Sequence, residues 1–194
     1  MMSDDVPVWD FFVRFFHWSL MGVAFICLMT EDDLLDLHVI AGYAVGLLIA
    51  ARVVWGLVGP KYARFSSFVF SPVKALSYLK DLIRLRAKRY LGHSPAGGAM
   101  VIAILLVLVL AVVSGVASYA AEEGAGPLAA YFAGADIQTR GLLAMVHQAT
   151  ANLLWLLILL HIAGVLLASY AHKENLVRAM ITGFKKRMSN ATSR

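Results

Sequence analysis

Four long apolar runs, separated by shorter polar stretches, dominate the pattern of this chain. A bilayer's hydrocarbon core takes about 20 apolar residues of helix to cross, and each run meets that length. They extend from about Phe11 to Met29, Leu37 to Val58, Ala99 to Ala120 and Leu142 to Tyr170. The third is the least polar, and the first carries Arg14 near one end, within snorkelling reach of the interface. A shorter pattern at helical spacing runs from Pro72 to about Tyr90, with Val73, Leu76, Leu79, Leu82 and Ile83 on one side and Lys74, Lys80, Arg84 and Lys88 on others. Ser71 suits its N-cap and Pro72 its first position, which predicts a basic amphipathic helix lying along a membrane surface. The segment Glu174–Gly183 has the same character. The pattern predicts a single all-α domain over residues 1–194, an integral membrane four-helix bundle with a loop helix and a polar tail from residue 171.

Composition supports lipid as the solvent. Of 194 residues, 60% are hydrophobic and only 15% charged, against about 45–50% and about 25% in soluble domains. The net charge of +5 does not point to nucleic acid, because such proteins do not carry long uncharged apolar runs; the cations suit loops facing anionic lipid. Lys61, Arg64, Lys74, Lys80, Arg84, Arg86, Lys88 and Arg89 lie between the second and third runs. Lys173, Arg178, Lys185, Lys186, Arg187 and Arg194 follow the fourth. The other two connections hold one cation, Arg140, among the acidic residues Glu31, Asp32, Asp33, Asp36, Glu122, Glu123 and Asp136. The positive-inside rule then places both termini and the long loop in the cytoplasm. The acidic opening MMSDDVPVWD lacks the positive start of a cleavable signal, so the first run is expected to remain as an anchor. Cys27 is the only cysteine, which excludes a disulfide framework and thioether-bound haem.

The chemistry lies in the histidines. Of six, His17, His38, His147 and His161 fall within the apolar runs, where ionisable side chains are costly and mark function. A single such histidine could equally be a hydrogen-bonded structural residue. His147 and His161 are fourteen residues apart, which on a helix is about 21 Å and within about 40° of one face. His38 matches His147 in depth, and His17 matches His161. Two level pairs of imidazoles on facing helices suit two six-coordinate haem irons. A zinc or copper site would instead gather three or four ligands at one depth, and a proton path would add a carboxylate within the spans. Gly42 and Gly46 follow His38 on its own face, and Gly164 follows His161; small residues there leave room for a macrocycle or simply for close helix packing. Arg14, Arg52 and Arg140 near the span ends can pair with haem propionates or snorkel. His93, in Gly-His-Ser-Pro, is expected to be solvated, and His172 to be interfacial.

At these residues the chain resembles the bacterial cytochrome b561 family, which is related to the b-type cytochrome subunits of nickel–iron hydrogenases. VWDFFVRFFHWSL (Val8–Leu20) is similar to its first-span motif, VHQATANLLWLLILLHIAGVLLAS (Val146–Ser169) to its last, and HKENLVRAMITG (His172–Gly183) to the segment that follows. The resemblance implies two non-covalent haems b in the bacterial inner membrane, one on His38 and His147, the other on His17 and His161. It also implies electron exchange with membrane quinone or quinol, and in some members with a redox partner outside. The acidic outer loops suit a basic partner such as a periplasmic c-type cytochrome. Two other functions fit the resemblance: superoxide oxidation coupled to ubiquinone reduction, which an acidic mouth disfavours, and anchoring of a hydrogenase-like oxidoreductase.

Overall fold

The computed structural model describes residues 5–30 and 34–187; Glu31, Asp32, Asp33 and Arg194 lie outside these. The order is β1 (Asp5–Pro7), α1 (Phe11–Thr30), α2 (Leu35–Val58), α3 (Pro72–Ile83), α4 (Pro95–Glu123), α5 (Ala129–Phe132), α6 (Ile137–His172), α7 (Leu176–Thr182) and β2 (Phe184–Lys186). Helices α1, α2, α4 and α6 hold 20, 24, 29 and 36 residues and are apolar enough to cross a bilayer.

The last two spans start before their apolar runs because their caps lie outside them. Ser94 Oγ accepts the Gly97 N–H at 3.2 Å, so α4 begins at Pro95 rather than Ala99. Asp136 Oδ1 accepts the Thr139 N–H at 2.8 Å, so α6 begins at Ile137 rather than Leu142. The loop helix α3 starts as expected on the Ser71 cap and Pro72. It ends at Ile83, not near Tyr90. Leu85 turns left-handed at φ 56°, and the Arg86 N–H returns to the Asp81 carbonyl at 2.8 Å, which closes the helix. Val73, Leu76 and Ile83 stay exposed on α3, an apolar face suited to the membrane surface.

The described residues cluster into two compact units, and the division falls inside the long helices rather than at a linker. One unit comprises residues 5–18, 52–102 and 161–187. Its core is Val8, Trp9, Val13, Ala63 and Ala179. Here β1 and β2 pair antiparallel, Val6 opposite Lys185, and the Val8 and Trp9 N–H groups both donate to the Gly183 carbonyl. Segments 5–7 and 184–186 therefore share one side of the protein. Glu174 locks the ladder: Arg89 reaches its carboxylate at 2.7 Å and Lys185 at 3.2 Å. Burial alone would raise the Glu174 pKa, but Arg89 and Lys185 outweigh it and hold the group below its ordinary value. A depressed folded pKa contributes stability above the unfolded carboxyl's pKa of about 4.3, and that stability is lost as pH falls through the folded value. Amide protection of residues 184–186 should therefore drop on acidification below about pH 4, and Glu174→Gln should abolish that pH dependence in hydrogen-exchange measurements.

The second unit comprises residues 19–30, 34–51 and 103–160. Each of its four long helices supplies core: Ala24 from α1, Val45 and Ile49 from α2, Val107 and Leu108 from α4, and Leu154 from α6. Their other sides carry exposed Phe25, Leu47, Leu106 and Leu159. Apolar surface on that scale marks contact with lipid. Arg140 is the one Lys or Arg among the described residues of this unit. The protein is thus an all-α, multi-pass membrane protein.

Candidate functional site: two histidine pairs

Each unit contains one pair of facing histidines. In the second unit, α2 presents His38 and α6 presents His147, with ring centres 5.9 Å apart and planes at 89°. The surroundings orient both rings. His38 Nδ1 lies 3.0 Å from the Cys27 carbonyl. A carbonyl only accepts, so this nitrogen carries the proton and Nε2 keeps its lone pair. His147 Nδ1 lies 3.2 Å from Ser114 Oγ, whose own hydroxyl donates to the Ala111 carbonyl at 3.2 Å. That serine oxygen therefore accepts from Nδ1–H, and Nε2 of His147 is again the free donor of electrons. Partners of this kind fix the tautomer and raise the basicity of a ligating imidazole.

In the first unit, α1 presents His17 and α6 presents His161, with ring centres 6.3 Å apart and planes at 50°. His17 Nδ1 is buried with no hydrogen-bond partner. Trp18 packs edge-on against the ring at 5.1 Å.

Two facing imidazoles could hold one haem iron between them. With a metal–nitrogen bond of about 2 Å, the two ring centres lie about 6 Å apart, and both pairs match that span. Gly115 strengthens the fit: a Cβ there would come within 2.8 Å of His147 Cε1, so only glycine lets the ring take its place. Beside Gly42 and Gly164 an added Cβ would meet nothing within 4 Å, whereas at Gly46 it would touch Val112 at 3.4 Å. Gly42 and Gly164 thus leave open space beside their helices, and Gly46 serves helix packing.

The arginines divide by partner. Arg14 Nη1 donates to the Ile181 carbonyl at 2.7 Å, and Arg140 Nε to the Ala135 carbonyl at 3.0 Å. Arg52 is 2% exposed; one of its nitrogens donates to the Ala63 carbonyl at 3.0 Å, while Nη1 is buried and unpartnered. His93 corrects an expectation. It is packed between Trp9 and Phe68, with ring centres 4.7 and 4.4 Å away, and its Nδ1 is shut off from solvent. Its neighbours in sequence are loop formers, and the rings that bury it come from distant segments. His172 accepts or donates to Tyr78 Oη at 3.2 Å. Among the described residues, no cluster of three or more His, Cys, Asp or Glu suits a bare metal ion.

Paired imidazoles inside an apolar helical protein suit a membrane cytochrome of the b type. Residues 8–183 match the family described as prokaryotic cytochrome b561, and the chain belongs to that family. No curated protein and no solved structure matches the chain. Members of the family bind haem b, and the residues present fit that group.

Proposed function

We propose that the protein is a di-haem electron relay of the bacterial inner membrane, carrying electrons between the quinone pool and a basic redox protein on the periplasmic face. The observation that carries this reading is the pair of ring separations, 5.9 Å for His38–His147 and 6.3 Å for His17–His161. Haem bound there supplies a one-electron couple. His38 and His147 would hold one haem and His17 and His161 the other, among the apolar residues of the helices. The Cys27 carbonyl and Ser114 aim the His38 and His147 lone pairs inward. Helix α6 carries a ligand for each haem, fourteen residues apart, so no single electron transfer has to cross the whole bilayer.

The charge distribution supports an orientation. With cations concentrated in residues 61–89 and 173–187, the positive-inside rule puts both termini in the cytoplasm. His38–His147 then serves the outer haem and His17–His161 the inner. Asp36, Glu122, Glu123 and Asp136 are exposed in the unit bearing the outer pair, and they form an acidic landing surface for a cationic partner.

Proteoliposomes loaded with quinol test this reading. Quinol should reduce both haems, and a basic c-type cytochrome added outside should reoxidise them. Its rate should fall steeply as ionic strength rises from about 10 to 150 mM, where the Debye length shrinks from about 30 to 8 Å. A rate indifferent to salt would contradict the acidic landing surface, and haems that quinol cannot reduce would contradict the quinone link.

A further inference from the structure

The unit that holds His17 and His161 contains four buried nitrogens without hydrogen-bond partners among the described residues, Arg14 Nε, His17 Nδ1, Arg52 Nη1 and His93 Nδ1, and the last two share one aromatic wall. Arg52 lies 2% exposed, its guanidinium carbon 5.0 Å over the Phe65 ring, with Nη1 unbonded. His93 Nδ1 is also buried and unbonded, and its ring is clamped by Trp9 and Phe68. Phe65 and Phe68 pack on each other at 5.7 Å, so one aromatic wall supports both polar groups.

An unpaired buried cation is strongly unfavourable, and no described carboxylate forms an ion pair with Arg52, although Asp10 is near enough for its charge to act on it. The ion pairs among the described residues all go to Glu174, from Arg89 and Lys185. Asp10 spends Oδ1 on the Val13 N–H and the Trp55 indole. The site therefore calls for an anion from outside the chain. His93 is suited to donate to it without adding charge: burial pushes its pKa down to about 3, and Arg52, Lys185, His161 and His17 add to that effect. Arg52 reaches towards that histidine pair as well, its guanidinium carbon lying 6.0 Å from the centre of the Phe16 ring, the residue before His17.

We infer that Arg52 and His93 form a two-donor clamp for a carboxylate, a propionate of the haem held by His17 and His161. This rests on the reading of those histidines as haem ligands. The guanidinium supplies the charge and the neutral imidazole a second N–H. Both are positioning residues for the haem and set its potential by offsetting the propionate charge.

Redox titration of the purified full-length protein in two single-haem backgrounds tests the clamp. His147→Ala should retain only the haem of His17–His161, and His17→Ala only the other. In the first background, His93→Leu should lower the midpoint potential, because an uncompensated carboxylate favours ferric iron, and Arg52→Gln should lower it further. His93→Asn, which keeps an N–H near the Nδ1 position, should restore the parent value. In the second background none of the three should move the potential. If His147→Ala leaves both haems bound, the ligand assignment itself fails. If one haem remains and neither His93→Leu nor Arg52→Gln shifts it, the clamp is overturned while the ligands stand. Where His93→Leu sheds the haem, His93→Asn must retain it; equal loss in both would also overturn the clamp.

Discussion

Alanine at His147 is expected to reduce the haem complement from two per chain to one, and alanine at His38 should remove the same haem. Alanine at His161 or His17 should each remove the other. The expectation follows from the pairing of rings, His38 with His147 and His17 with His161. An iron that loses one of two axial nitrogens keeps only half of its protein coordination. The double variant His38→Ala/His147→Ala should therefore resemble either single variant in haem content, whereas His38→Ala/His161→Ala should lose all haem. Pyridine haemochrome assay of the purified variants, normalised to protein, reads the result. Two haems retained in His38→Ala/His161→Ala protein would mean that other side chains hold the iron.

The second large effect is expected at Gly115. A Cβ there comes within 2.8 Å of His147 Cε1 and 3.2 Å of its Nδ1, closer than real contacts allow. Alanine would push the ring and weaken its hydrogen bond to Ser114; valine would displace it. Gly115→Val should lose the haem of His38–His147 and keep the other, with the reduced difference spectrum falling to half amplitude. Gly22 provides the control, because an added Cβ there meets nothing within 4 Å. Gly22→Ala should keep both haems and, by reducing backbone freedom in α1, gain up to about 1 kcal/mol of helix stability. Equal haem content in Gly115→Val and wild-type protein would show that the His147 ring is not confined as described.

Much of this architecture is legible in the sequence because lipid imposes simple demands. Runs of about 20 apolar residues suffice to locate spans, and four are found where the pattern places them. Helix ends are less legible. Ser94 and Asp136 cap α4 and α6 from outside the apolar runs, and hydropathy carries no signal for a cap. The left-handed Leu85 that stops α3 is equally silent, since leucine rarely adopts that conformation. The three-residue strands that join the two ends of the chain are too short to show alternation.

At the site, the pairing of histidines follows from helical depth alone, since both members of each pair lie on rigid spans. What surrounds them depends on distant packing. Ser114 and Gly115 form a polar and small dipeptide inside the most apolar run, a signal that was available for the His147 neighbourhood. The Cys27 carbonyl that orients His38 is a backbone group and leaves no trace in residue type. His93 reads as a solvated loop residue among Gly92, Ser94 and Pro95, yet its ring packs against Trp9 and Phe68 and its Nδ1 is buried. Burial by residues far along the chain is a tertiary property that local composition does not encode.

The central claim is that two pairs of imidazoles each hold one iron. A reduced-minus-oxidised spectrum of the purified full-length protein, with haem quantified against protein by pyridine haemochrome, tests it most directly. Low-spin b-type bands at two haems per chain are expected. A stoichiometry of one, or the high-spin spectrum of iron with a single axial imidazole, would contradict it.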